Sequence, residues 1–340
     1  MLNLNCFHPS STPKDPISLL DFIHNTLLNL PQNPSVTKST HKTLQFSHYI
    51  TTLREFLYGS TESEPNPKIC SQITQKFFAR DTLRLIILHF SQLNLQIRND
   101  LYTLVTNLEN QKDLVDSRFR ASEYFEKNKD LVDKLILGYE NKECALQYGP
   151  MLRGAIKHQN VARYVLGNLK HMNKFFELLE IGNFGVSSDV WTTYKELMTR
   201  HKSTVFEFLS DNYDWFFAEY KCTLLASSVC INRRCAVQLL GDILRGKANA
   251  VIRRRYVSSL DNLKIVMNLL DDTSKITQME AFRVFKLFVD NEDKPEEIVD
   301  VLAVPENKLR IVRLCEDLTV DKPYEQFEED KAEVVKIFKD

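Results

Sequence analysis

An apolar helix ending recurs four times along this chain: Ala155-Ile156, Leu197-Met198, Ile243-Leu244 and Phe288-Val289. The steps are 42, 46 and 45 residues, from 156 to 198, 244 and 289. Each pair closes a stretch whose apolar positions fall three and four apart, as in Ala236, Leu239, Leu240, Ile243 and Leu244. That spacing lines one face of an α-helix. A period in the low-to-mid forties predicts an all-α fold of helical repeats stacked into one curved solenoid, with less regular helices capping its ends. A solenoid offers a long binding surface, so the pattern points toward protein binding.

Charge adds little direction. The 44 basic and 45 acidic residues leave a net charge of −1, so no global field draws in nucleic acid or a membrane surface. The chain has only 9 glycines, which argues against glycine-rich phosphate loops. Seven cysteines (Cys6, Cys70, Cys144, Cys222, Cys230, Cys235, Cys315) form no C-x-x-C pair. Their odd number and irregular spacing fit reduced, mostly buried thiols better than disulfides or zinc. No signal peptide and no run of 18 apolar residues is found, so a cytoplasmic location without membrane insertion is expected.

Proline places the N-terminal punctuation. Residues 1–16 read as a flexible lead and 17–340 as the repeat domain. Pro16 opens a helix from Ile17 to Leu30, Pro31 and Pro34 bracket a loop, and a longer helix runs from Thr37 to Tyr58 and stops at Gly59. Ser60 to Pro67 is a second loop. Ser187-Ser188-Asp189 is expected to cap the helix through Trp191. Thr277 and Glu280 have capping-box spacing before Ala281, Val284 and Phe285. Pro295 and Pro305, each followed by glutamate, read as first turns. No period-2 strand stands out.

No catalytic constellation appears, and the phosphate-loop, dinucleotide, nucleophile-elbow and zincin motifs are all missing. Asp271-Asp272-Thr273-Ser274 lacks the glycine of a calcium loop. His158 and His201 close matching helices, MLRGAIKH and YKELMTRH, where a histidine complements the helix dipole. Cys222, Cys230 and Cys235 read as buried thiols. The one concentration of charge is Arg233, Arg234, Arg245, Lys247, Arg253, Arg254 and Arg255. Arg234, Gln238, Gly241 and Arg245, spaced 4, 3 and 4, share a helix face opposite the apolar stripe. That face is either simply solvated or built to hold a carboxylate bidentately. The next helix, Leu263 to Leu270, is apolar except for a stripe of Lys264, Asn268 and Asp271. Met267 borders the stripe, either as core or as the wall of a groove.

Several stretches in one order resemble the calcium-binding protein 39 family of armadillo-like kinase scaffolds. They are GPMLRGAIKH (149–158), SDVWTTYKELMTRHK (188–202), YDWFFAEYKCTLL (213–225), NRRCAVQLLGDIL (232–244), DNLKIVMNLL (261–270), ITQMEAFRVFKLFV (276–289) and YEQFEEDKAEVV (324–335). The resemblance covers Val132 to Asp340 strongly and the N-terminal third weakly, although LREFLYGSTESEP (53–65) fits. It implies an armadillo/HEAT-like solenoid without catalytic activity, cofactor or small-molecule substrate. It implies a concave face that grips the STRAD pseudokinase or germinal-centre kinases, and a pocket for a Trp-Glu-Phe peptide. By the same resemblance the pocket residues are Arg234, Met267 and Lys264, with Gln238 in place of a family lysine. Lys247 and Ala250 replace an arginine and a phenylalanine on the kinase-facing surface. The alternative is a general armadillo-type adaptor, serving polarity or trafficking without activating a kinase.

Overall fold

A computed structural model describes residues 15–30, 40–59, 64–112 and 119–339. The expected N-terminal lead lies outside these residues apart from Asp15 and Pro16, as do Pro31, Pro34, residues 37–39 and residues 60–63. Among the described residues the chain forms twenty helices and no strand. The all-α helical-repeat reading holds.

The chain divides into two compact units, Met1–His171 and Met172–Asp340. The first contains α1 (Pro16–Leu28), α2 (Thr40–Tyr58), α3 (Pro67–Ala79), α4 (Thr82–His89), α5 (Leu95–Leu108), α6 (Arg120–Lys127), α7 (Lys129–Leu137), α8 (Ala145–Ile156) and α9 (Gln159–Leu166). The boundary falls within α10 (Leu169–Leu179). The second contains α11 (Phe184–Thr199), α12 (Lys202–Asp211), α13 (Tyr213–Glu219), α14 (Cys230–Arg245) and α15 (Ala250–Val257). It continues with α16 (Leu260–Leu269), α17 (Lys275–Val289), α18 (Glu296–Ala303), α19 (Pro305–Asp317) and α20 (Phe327–Lys339).

The recurring apolar endings fall at the ends of α8, α11, α14 and α17, all buried. In the second unit α11 packs on α14, and α14 on α17. They run parallel: Trp191 and then Lys195 of α11 meet Asn232 and then Asp242 of α14, while Arg233 and then Asp242 of α14 meet Asp272, just before α17, and then Arg283 of α17. In the first unit α2, α5 and α8 stack in the same way. Asn94 at the start of α5 reaches Thr43 of α2, and Gln147 of α8 reaches Asn99 of α5. The repeat therefore extends into a region where its sequence pattern is faint.

Local signals set most helix boundaries. Asp15 caps α1 by accepting from Ser18 N at 2.8 Å, Pro16 supplies the first turn, and the helix stops at Leu28, two residues short of expectation. Gly59 ends α2 with a φ of 79°, a left-handed conformation suited to glycine. Pro295 and Glu296 open α18, and Pro305 opens α19, as expected.

Two capping expectations fail for one reason. The cap of α11 is Asn183, which accepts from Val186 N at 3.1 Å, and the cap of α17 is Ser274. Ser187 and Thr277 lie one turn inside their helices and are buried. With Asn232 they form a series at 187, 232 and 277, two steps of 45 residues. Their polar atoms face the packed interior, and the caps are supplied a turn earlier.

Candidate functional site

The predicted basic cluster divides once its neighbours are in place. Arg233 belongs to the fold: Nε and Nη2 each lie 2.8 Å from Asp272 Oδ2, and Nη1 donates to Ser227 O at 2.7 Å. Arg255 pairs with Asp214 at 2.6 Å and lies 3.8 Å from the Tyr213 ring. Arg253 donates to Leu244 O. By contrast Arg234, Lys247 and Arg254 have no hydrogen-bond or ion-pair partner for their charged groups among the described residues. Arg234 is half-buried and the other two are exposed. Arg245 and Arg283 lie 5.9 and 5.7 Å from the centre of the Tyr324 ring. Burial and the hydrogen bond from Tyr324 Oη to Asp330 hold that phenol well above its usual pKa.

The expected face of α14 needs one correction. Arg234 and Gln238 are half-buried and Arg245 is exposed, but Gly241 is buried. A methyl at Gly241 would sit 3.6 Å from Val284 Cγ2. Gly241 thus marks the contact with α17, and the exposed face begins beside it. Cys235, on the same helix, is pushed up by burial, with Arg234 pulling the other way.

On α16 the stripe of Lys264, Asn268 and Asp271 is exposed, as the pattern predicts. Met267 is only 5% exposed, and its carbonyl accepts from Arg310 Nη2 at 2.8 Å. Arg310 also binds Asp271, so it closes the C-terminal end of α16. No hydrogen bond or ion pair joins any two of Arg234, Gln238, Lys264 and Met267 among the described residues. A groove of about 530 Å³ does open between the segment 221–228 and α16, with Arg233 of α14 at its edge, lined also by Lys221, Leu225, Ile265 and Leu269. The predicted pocket residues are not among those lining it. On each helix the groove takes neighbours of the predicted positions, and one residue turns the side chain by about 100°.

Lys247 and Ala250 are both exposed. Between them Asn249 is buried, and its Nδ2 donates to Ile243 O at 2.9 Å. That bond pins a single 3₁₀ turn, Lys247–Asn249, and leaves its flanking residues facing outward.

His158 and His201 sit between helices, at the positions that open α9 and α12. His158 is buried against Phe119, with ring centres 5.1 Å apart. Cys222 and Cys230 are exposed and Cys235 is half-buried, so these three are not the buried thiols expected. The exposure has a local cause, since Cys222 lies in a π-helical turn, Tyr220–Leu225, and Cys230 on the first turn of α14. Among the described residues no group of three or more His, Cys, Asp or Glu converges to hold a metal, and no helix is long and apolar enough to cross a membrane.

One surface feature escaped the sequence pattern. Phe184, 73% exposed, opens α11, and exposed Val229 and Ile276 sit at the starts of α14 and α17. Exposed apolar residues grouped along an edge mark interaction sites. Their only sequence signal is position, just ahead of each helix's first buried residue.

The second unit thus presents a stack of parallel helices with unpaired cations and exposed apolar side chains at its surface. This is the build of a helical-repeat binding protein. A family model described as Mo25-like matches residues 6–340, and the chain belongs to that family. A MO25-like protein of Arabidopsis thaliana is 45% identical over 331 residues, covering 96% of this chain and 95% of the relative. A human calcium-binding protein 39-like protein is 29% identical over 332 residues, covering 97% and 96%. A Mo25-like protein of Schizosaccharomyces pombe is 32% identical over 324 residues, covering 95% and 97%. Membership supports a protein-binding scaffold role.

Proposed function

We propose that this protein is a non-catalytic cytoplasmic scaffold that binds a protein kinase or pseudokinase of the germinal-centre group and activates it allosterically. One observation carries the reading. Arg233, Arg253 and Arg255 are tied into the fold, whereas Arg234 has no partner for its charge among the described residues and, unlike exposed Lys247 and Arg254, is half-buried, beside the neutral Gln238 on a helix next to α17. A guanidinium held ready in this way suits a carboxylate on a partner. Arg234 would take the acid of a Trp-Glu-Phe-like peptide. Met267 would form an apolar floor and Lys264 a cationic rim. Lys247 and Ala250 would face the kinase domain itself.

Such a scaffold acts by population shift. It binds the active-like kinase conformation more tightly than the inactive one, and a difference of about 1–3 kcal/mol changes activity several-fold or more. Purified protein is expected to raise the activity of a germinal-centre kinase from the same organism, and failure with every such kinase would remove the activation claim. Arg234→Ala and Met267→Ala are each expected to weaken peptide binding by about 1–3 kcal/mol, the scale of interface anchors. Unchanged affinity in both would sink the pocket.

A second reading, a general adaptor without kinase activation, is favoured by two residues. Gln238 lowers the positive field beside Arg234, and Ala250 offers a small contact at an exposed position. An unbiased pull-down separates the readings by whether a kinase is recovered.

A further inference from the structure

Glu109 follows the last turn of α5 and is 0% exposed. Neither of its carboxyl oxygens has a hydrogen-bond partner among the described residues. The side chain runs onto α8 at Gly154, where a Cβ would overlap Glu109 Oε2. The glycine is what lets the carboxyl fit. The carboxyl also sits at the negative end of the α5 dipole, which disfavours a further negative charge.

The charged groups on the neighbouring elements do not neutralise it. On α8, Lys157 bears on the carboxyl, but its ammonium is bonded to Asn110 Oδ1 at 3.0 Å. Arg153, also on α8, has contacts of its own. On α2, Arg54 bears on Tyr58, and Glu55 is exposed. Arg120 of α6 pairs with Glu123 at 3.6 Å. In the segment after α5, Lys112 lies 5.3 Å from the centre of the Phe119 ring, and buried His158 packs on the same ring at 5.1 Å. An unpaired carboxylate in such surroundings costs several kcal/mol, and the neutral acid costs less. Burial accordingly raises the carboxyl well above its usual range, with Lys157 opposing.

We propose that Glu109 is a proton-operated latch between α5 and α8. As the neutral acid it lets the two helices close at Gly154. On losing its proton it must take up water, and the C-terminal end of α5 parts from α8. The inference is independent of the kinase reading, since it concerns the first unit and needs no partner.

Amide hydrogen exchange on the full chain tests it, read over residues 104–112 and 152–157 and corrected for intrinsic rates. Protection in the native protein is expected to fall about tenfold per pH unit as pH rises from the ordinary carboxylate range toward the raised folded value of Glu109, the signature of one linked proton. Glu109→Gln keeps the shape without a titrating group, so its protection is expected to stay flat. The same fall in both proteins would overturn the proposal. Should the glutamine variant not fold, infrared spectra of native protein with labelled glutamate decide the matter. A protonated carboxyl band that persists above the ordinary carboxylate range supports the latch, and a spectrum in which every glutamate ionises within that range overturns it.

Discussion

Two buried polar side chains sit at joints between successive stacked helices, and the fold treats them in opposite ways. Asn232, at the α11–α14 joint, accepts from Trp191 Nε1 at 3.0 Å and from Ser187 Oγ at 3.5 Å. Its Nδ2 donates to Leu179 O at 3.0 Å and to Glu180 Oε1 at 2.8 Å. Glu109, at the α5–α8 joint, has no hydrogen-bond partner for either oxygen among the described residues. An amide with its bonds made fixes the register of two helices at little desolvation cost. A carboxyl without them is tolerated only while neutral. The same stacking geometry can thus be pinned at one joint and made sensitive to proton concentration at another.

The largest expected effect comes from breaking the satisfied joint. Asn232→Ala strands Trp191 Nε1 in the interior, leaves Leu179 O only its bond from Ser187 Oγ, and is expected to cost about 2–4 kcal/mol, read by chemical denaturation. A loss below about 1 kcal/mol would show that the network contributes little. At the other joint the sign depends on pH. Because the folded carboxyl of Glu109 is raised, its contribution is complete in acid and is lost as pH rises from the ordinary carboxylate range toward its folded value. The slope is about 1.4 kcal/mol per pH unit, and Glu109→Gln is expected to remove it.

The glycines sharpen the contrast. Gly154→Ala drives a methyl into the Glu109 carboxyl and is expected to destabilise by about 1–3 kcal/mol, as overpacking does. Gly241→Ala meets Val284 at ordinary contact distance and gains helix propensity, so a stabilisation of about 0.5–1 kcal/mol is expected. Equal effects at the two sites would mean that the joints are alike after all. Smallest of all, Phe184→Ala is expected to shift stability by less than about 0.5 kcal/mol. The same variant is expected to weaken binding of a recovered partner, measured by calorimetry.

Much of the fold is legible along the chain. Asp15 and Pro16 start α1, Gly59 stops α2 and Pro305 opens α19 through interactions within a turn or two of sequence, where local chemistry is decisive. The candidate site was legible only in part. The basic run showed where charge concentrates, yet Arg233 and Arg234 are equivalent to the eye. They differ because Asp272, 39 residues away, comes to meet the first and not the second. Ser187 and Thr277 passed for capping residues because a hydroxyl near a helix start reads the same whether it turns to its own backbone or to a neighbouring repeat.

What the sequence by itself determined is the α-helical content, the forty-odd-residue period and the apolar stripe of each helix, because these arise from residues three and four apart. The tertiary structure alone decided which polar groups find partners among the described residues: that Asn232 is bound at both ends of its amide, that Glu109 is hydrogen-bonded at neither oxygen, that Arg234 has no partner for its charge and that Phe184 meets solvent. Those outcomes depend on which atoms of distant helices arrive within about 3 Å of one another, and a periodic pattern carries no information at that resolution.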